Sequence, residues 1–429
     1  MNITLQYGKK GLAIHLPDDW DVTVIRKKPM SVLSDPQAAL ESALANPVAS
    51  SSLFEAAKGS ASACILICDN TRPVPNGLVL PELIRQLLSA GMGAGRIKIL
   101  VATGLHRPNE GVELEELVGD DRVLKTIAVE NHFARRNEDH VDLGRTRRGT
   151  PIKLDRRFVD ADLRIVTGLV EPHFMAGYSG GRKVIVPGIA HEDTIRRLHT
   201  ASFLEDPRAT NCTMDGNPFH EEMLEMLDFL GPVLAVNTVL DEERRLSFVN
   251  FGEIRASHRD AVSFVRPHVE VQIPRRFRTI ITTSAGHPLD KTYYQTIKGM
   301  VGAMDALEPG GRLFVASECA EGFGSREYVE AQRRLVHLGP EGFLQDIGGK
   351  LRAEIDEWQT EMQLRAMRRG SVSLYCNLRS QEDRTLTAVD LVDSFEKAVI
   401  EWVEEIRDRS VAIVPEGPYV IPFCRSEVS

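Results

Sequence analysis

Apolar residues cluster in runs that do not alternate with polar ones. ACILIC (63–68), IKILVA (97–102), DLRIVTG (162–168) and VLAVNTVL (233–240) are each close to continuous. A strand with one wet face alternates, whereas a strand covered on both faces does not, so these runs predict buried strands of a largely parallel sheet. Helical periodicity falls between them. LPELIRQLLSAG ends on Gly91, a suitable C-terminal stop, and DPQAALESALAN opens with Asp35 and Pro36, the residue types that start a helix. Alternating strands and helices define an α/β domain.

After the helical stretch GEIRASHRDAVSFVRPH (252–268) and the short IPRRF (273–277), the pattern restarts with RTIITTSAG (278–286), a helix from about Tyr293, and RLFVASE (312–318). The spacing predicts a first α/β domain over 1–275 and a second over 276–408, with mixed or largely parallel sheets and an active site in the cleft between them. The apolar VAIVPEGPYVIPF follows the helix LVDSFEKAVIEWVEEI, and the tail 409–429 is expected to return to the first domain. A chain of 429 residues exceeds one ordinary core, which agrees with two domains.

Composition narrows the class. The formal net charge of −9 disfavours a nucleic-acid partner, which needs a basic face. No apolar run reaches the ~18 residues of a membrane span, and MNITLQYGKKGLAIHLP lacks the order of a signal peptide, so a cytoplasmic enzyme is expected. The six cysteines are scattered and have neither a zinc spacing nor a disulfide framework.

Against this acidic background the polar loops stand out. In open α/β sheets ligands gather beyond the carboxyl ends of strands. ACILIC leads into DNTRPVP, with Asp69, Thr71 and Arg72; IKILVATG leads into His106; DLRIVTG leads into LVEPHFMAGYSGGRK, with His173, Ser179, Gly180, Gly181, Arg182 and Lys183. The Gly-Gly turn accepts the positive φ angles of an anion-binding nest, and Arg182 and Lys183 add charge, so a phosphate would fit. The turn is not a Walker loop, since Val184 follows the lysine. GMGAGR (91–96) is not a dinucleotide fingerprint, since it precedes a strand.

Together these residues resemble the nickel-pincer-nucleotide lactate racemases and their 2-hydroxy-acid racemase and epimerase relatives. DNTRPVP is similar to that family's Asp-x-Thr-Arg loop, GLHRP to its Gly-x-His-Arg element, and HFMAGYSGGRK…H to its glycine-rich lysine segment with a closing histidine. In the second domain, YYQTIKG resembles the Tyr-Gln-x-x-Lys segment, giving Tyr294, Gln295 and Lys298, and Trp358 resembles a tryptophan near the cofactor. The resemblance implies nickel held in pyridinium-3,5-bisthiocarboxylic acid mononucleotide, supplied by cofactor-biosynthesis enzymes and attached covalently to Lys183. His199 would be the protein-derived nickel ligand. Asp69, Arg72, Ser179, Gly180, Gly181, Arg182, Gln295 and Trp358 would contact the cofactor, and Arg72, Tyr294 and Lys298 the carboxylate of a small 2-hydroxy acid.

Such an enzyme inverts C2 through a 2-keto acid, the hydride leaving as an imidazole takes the hydroxyl proton. His106 and His173 are then the natural pair of bases, one for each enantiomer, since histidine exchanges protons near neutrality. Two alternatives remain at this level. One is a zinc-type hydrolase using His106, His173 and His199; the other is a non-catalytic nucleotide or phosphate binder. His191 and His287 match no assigned role.

Overall fold

The computed structural model describes residues 1–378 and 380–424. Two six-stranded sheets dominate it. In chain order their strands are β1 (Asp21–Val24), β2 (Ala63–Cys68), β3 (Ile97–Ala102), β4 (Ala128–Asn131), β5 (Leu163–Leu169), β6 (Leu234–Leu240), β7 (Leu246–Glu253), β8 (Phe277–Thr283), β9 (Leu307–Ala316), β10 (Gly370–Tyr375), β11 (Asp390–Leu391) and β12 (Ser410–Val414).

The chain divides into two compact units, one of residues 29–198 with 208–266, the other of 1–28, 199–207 and 267–429. In the first, the strand order is β7-β6-β5-β2-β3-β4, parallel except for β7, which runs antiparallel to β6. The continuous apolar runs are buried on both faces as expected. Ile65, Ile67, Ile99, Val101 and Ile165 join Val79, Leu80, Leu83 and Leu87 of the helix Asn76–Ser89 in one core. The helix Pro36–Ala45 starts as its sequence predicts, with the Asp35 carboxylate accepting from Ala38 N at 3.0 Å. Strand order reverses between β2 and β5: the chain steps outward from β2 to β3 and β4, then returns to lay β5 on the other side of β2. Such a switch point opens a crevice at the carboxyl ends of its two strands.

The second unit has the order β11-β10-β9-β8-β12-β1, all parallel, with its switch between β8 and β12. There the crevice is filled by the chain's own beginning. Gln6 N donates to Pro415 O (3.1 Å), His287 N to Gly8 O (2.9 Å), and Gly8 N to Asp290 Oδ2 (2.7 Å). His287 thus belongs to a loop closed on Gly8.

The domain boundaries need two corrections. The tail does not return to the first domain: β12 pairs with β8, and Ile421–Cys424 pairs with Glu270–Ile273, both within the second unit. Residues 425–429 lie outside the described residues. The first 28 residues also belong to the second unit, because β1 pairs in parallel with β12, Asp21 opposite Ser410. Backbone pairing over nearly four hundred residues leaves no local trace in either segment. No helix among the described residues is long and apolar enough to cross a membrane.

Candidate active site

The first unit's switch point gathers the loops that the sequence singled out. At the end of β2, Asp69 is buried and folds its own turn, its Oδ1 accepting from Thr71 N (3.2 Å) and Oγ1 (2.5 Å). Its Oδ2 lies 2.6 Å from Nδ1 of His106, on the loop after β3. Burial alone would raise the Asp69 carboxyl, but the hydrogen bond and charge of His106, with the two Thr71 donors, hold it below the usual carboxylate range. Because a carboxylate only accepts, His106 donates from Nδ1 and turns Nε2 outward. The ring is 55% exposed, open to a ligand.

Arg72, from the same loop, forms an ion pair with Glu171 at 3.0 Å, joining the β2 loop to the β5 loop. No local pattern singles out Glu171, since its partner lies far away in the chain. Ser179 closes the β5 loop: its hydroxyl donates to Leu169 O (2.6 Å) and accepts from Glu171 N (3.1 Å), while its N–H reaches Glu171 O (2.9 Å). That hydroxyl is already engaged in loop closure. His173 is buried, its ring stacked on Phe174, and its Nδ1 accepts from Met175 N (3.3 Å) and Ala176 N (3.1 Å).

The turn that follows needs its glycines. Gly180 and Gly181 have φ of +76° and +50°, and a Cβ on Gly181 would stand 2.9 Å from the His258 ring. Among the described residues, the N–H groups of Gly180, Gly181 and Arg182 meet no backbone acceptor. Arg182 is fully buried. Its Nη2 donates to Ala176 O (2.7 Å), its Nη1 faces His258 Nε2 (3.1 Å), and its Nε has no partner among the described residues. Among the described residues it has no carboxylate to offset its charge, and burial lowers it to about 9, so it stays cationic at neutral pH. Lys183 follows, partly buried. Desolvation, then the charges of Arg72 and Arg182, push its ammonium down to about 7. A lysine poised there offers a neutral, nucleophilic amine near neutrality. A buried cation without a carboxylate partner among the described residues, beside N–H groups that meet no backbone acceptor, suits an anionic ligand with a phosphate.

The second unit carries the remaining residues. Thr292 caps the helix Tyr293–Ala303, which places Tyr294 and Lys298 one turn apart on one face, with Gln295 beside them. The helix Glu357–Arg369 packs Trp358 against it: Trp358 Nε1 donates to Tyr294 Oη at 3.3 Å, and Gln359 Nε2 to Tyr294 O at 2.6 Å. His199, just past the helix Glu192–Leu198, is buried within this unit, its ring centroid 4.6 Å from that of Trp358. It follows the polar stretch EDTIRRL, yet it is buried against an aromatic ring. Burial raises the Tyr294 phenol well above 10, keeping it neutral, and the buried Oε1 of Gln295 has no partner among the described residues. That orphaned oxygen fits a site completed by a ligand.

His191 is explained without a ligand, as its Nδ1 accepts from Asp193 N (3.1 Å) and its ring meets His140 edge-on. Among the described residues no group of three or more His, Cys, Asp or Glu is arranged to hold a metal, so the zinc-hydrolase alternative lacks its ligand set.

Fold and site define a two-unit α/β enzyme with an Asp-His dyad and a depressed lysine at a strand switch point. Comparison with known proteins makes this specific. Residues 7–211 match the lactate racemase N-terminal domain model and residues 275–422 the lactate racemase C-terminal domain model. The chain is 30% identical to lactate racemase of Thermoanaerobacterium thermosaccharolyticum over 98% of its length and 99% of the relative's. It is also 30% identical to lactate racemase of Lactiplantibacillus plantarum over 90% of both chains. The solved lactate racemase apoprotein from T. thermosaccharolyticum superposes with a TM-score of 0.92 at 27% identity, over 99% of this chain and 100% of that one. A protein from Thermotoga maritima shares the fold, with a TM-score of 0.68 at 19% identity over 91% and 98% of the two chains. The chain belongs to the lactate racemase family and is a racemase, an isomerase.

Proposed function

We propose that this racemase inverts C2 of a small 2-hydroxy acid of the lactate class, using a nickel-pincer nucleotide attached to Lys183. Family membership implies a nickel-dependent enzyme. The observation that carries the rest is the placement, on one switch-point rim, of the Asp69–His106 dyad and of Lys183, whose ammonium is pushed down to about 7 by burial and by the charges of Arg72 and Arg182. The dyad supplies a base for a hydroxyl proton, and the lysine supplies a nucleophile for covalent attachment.

Each residue then has a physical task. Lys183 would carry the amide-type link. Gly180, Gly181 and Arg182 would hold the nucleotide phosphate, with Arg182 neutralised by it. His199, kept in place by Trp358, would be the nickel ligand, and Gln295 would satisfy its orphaned oxygen on the cofactor. When bound, the cofactor supplies a hydride acceptor. His106 removes the hydroxyl proton through Nε2 while Asp69 holds the imidazolium that results. His173, on the β5 loop, would be the second base, one histidine serving each enantiomer. Arg72, Lys298 and the neutral Tyr294 phenol would anchor the substrate carboxylate while the bound keto acid presents its other face.

The test is intact-mass spectrometry of protein made alongside the cofactor-building enzymes, combined with racemisation assays on L-lactate and other 2-hydroxy acids. A mass increment mapping to Lys183, present with activity and absent without it, is expected. An unmodified mass with undiminished racemisation refutes the assignment.

A further inference from the structure

We infer that Glu113 is a positioning residue for the reaction: its carboxylate clasps the two loops that carry Asp69 and His106, and so holds the dyad in its working geometry. The inference rests on the racemase reading above and adds to it a residue that acts through His106.

The members of the dyad lie on different loops. Asp69 follows β2 and His106 follows β3, so the 2.6 Å between them depends on how those loops are tied together. The residue after each one reaches the same carboxylate. Asn70 Nδ2 donates to Oε1 of Glu113, while Arg107 grips it with both ends of its fork, Nη1 to Oε2 at 2.6 Å and Nη2 to Oε1 at 2.8 Å. Asn109 Nδ2 donates to Oε2 at 2.9 Å. These donors fill the roughly four lone-pair sites of one carboxylate. The hydrogen bond of Arg107, then that of Asn109, holds the Glu113 carboxyl below its usual range, so it stays ionised at neutral pH.

Glu113 is itself braced. It lies in the first turn of the short helix Val112–Val118, where Val118 is buried in the core and Leu117 O accepts from Asn76 Nδ2 at 2.9 Å. Asn109 is buried too, and a reciprocal pair locks it to Asn131 at the end of β4: Asn109 N donates to Asn131 Oδ1 and Asn131 Nδ2 to Asn109 O, both at 2.9 Å. A docked helix and a strand end therefore stand behind the clasp. An isolated exposed ion pair contributes little, whereas a bidentate pair joined to a buried amide fixes geometry.

Holding Arg107 has a second effect. Its guanidinium is exposed and already feels the charge of Asp69. Released from Glu113, it competes with His106 for the Asp69 carboxylate. His106 then loses the acceptor that keeps its single proton on Nδ1, and with it the Nε2 lone pair that takes the substrate hydroxyl proton.

Two measurements test the clasp, the first without cofactor. In the cofactor-free protein, imidazole nitrogen-15 shifts report the tautomer of neutral His106. Wild type should hold Nδ1–H. Glu113→Gln keeps the side-chain length and loses the charge, and should lower the ratio of Nδ1–H to Nε2–H by about tenfold, the scale of one hydrogen bond to a charged group. A wild-type ratio in this variant overturns the inference. Should Glu113→Gln not fold, Asn70→Ala decides, since Asn70 is exposed and only one arm of the clasp is removed. A ratio lowered about two- to threefold is expected there, and an unchanged one refutes the clasp.

The second measurement uses the division of labour between the two bases. Glu113 acts through His106 alone, so its loss is felt by the enantiomer that His106 serves, whereas a loosened fold slows both alike. Cofactor-loaded enzyme is mixed with L-lactate or with D-lactate and quenched within one turnover, and the keto acid formed is measured. Glu113→Gln should slow one enantiomer by about tenfold or more and leave the other within about twofold, with the Lys183 mass increment unchanged. Equal slowing of both, or of neither, overturns the inference. No keto acid from either enantiomer in wild type would instead sink the racemase reading, and the tautomer ratio then judges the clasp alone.

Discussion

Nη1 of Arg72 stands 3.0 Å from Oε1 of Glu171, and this ion pair spans the point where the strand order reverses, from the β2 loop to the β5 loop. An arginine proposed to anchor a carboxylate already has one beside it. A substrate anion at Arg72 must share the guanidinium with Glu171, which lowers the affinity that the arginine can provide. Glu171→Gln removes the competing charge and keeps the side-chain shape. It should lower KM for an anionic 2-hydroxy acid by about two- to tenfold, the scale of one partly screened charge interaction. An unchanged KM with an intact fold would place the anchor elsewhere.

Lys183 should respond to pH in two measurable ways. Its folded value of about 7 lies below the ordinary 10.5. Between those values the unfolded chain binds the extra proton, so stability rises with pH across that window; below about pH 7 the folded protein bears the full cost of charging the amine. Lys183→Met should therefore raise the Tm of the cofactor-free protein more at pH 6 than at pH 10. Acylation of Lys183 by an amine-reactive probe should show its midpoint near pH 7. Equal Tm shifts at both pH values, or a midpoint near 10, would show that the lysine is not desolvated.

Gly181→Ala tests the turn. The new Cβ would meet the His258 ring at 2.9 Å on a backbone with φ of +50°. A loss of about 1–3 kcal/mol is expected, from strain and from the displaced ring. Chemical denaturation measures it, and a change below about 0.5 kcal/mol would mean that the ring yields freely.

His199→Ala separates attachment from metal binding. The Lys183 mass increment should persist while nickel per chain falls, as read by intact mass and elemental analysis. Loss of both together would argue that the histidine serves attachment instead. Trp358→Ala should lower nickel content less severely, since it removes only the ring against which the imidazole rests.

Much of the first unit could be read directly from the chain. Continuous apolar runs at 63–68, 97–102 and 162–168 became strands, the last shifted by one residue to Leu163–Leu169, and the polar residues just after them share one rim, because a parallel sheet places all its βα loops on the same side. The glycine pair could be read because only glycine tolerates its angles. Relations that depend on distant partners could not. Nothing near Glu171 announces Arg72, and nothing in the first 28 residues announces β12. The backbone donors to His173 Nδ1 were equally hidden, since which ring nitrogen faces a peptide plane depends on a turn held by Asn217. His199 follows a polar helical stretch, and its burial comes from a tryptophan far along the chain.

Residues 199–207 belong to the unit made mostly of the later part of the chain, although Lys183 is only a short way upstream in the other. During synthesis the lysine and its glycine turn leave the ribosome long before Trp358 does. The histidine's resting place does not exist until the helix Glu357–Arg369 has been translated, so a nascent chain forms the strand-switch rim around Lys183 while still lacking the packed histidine.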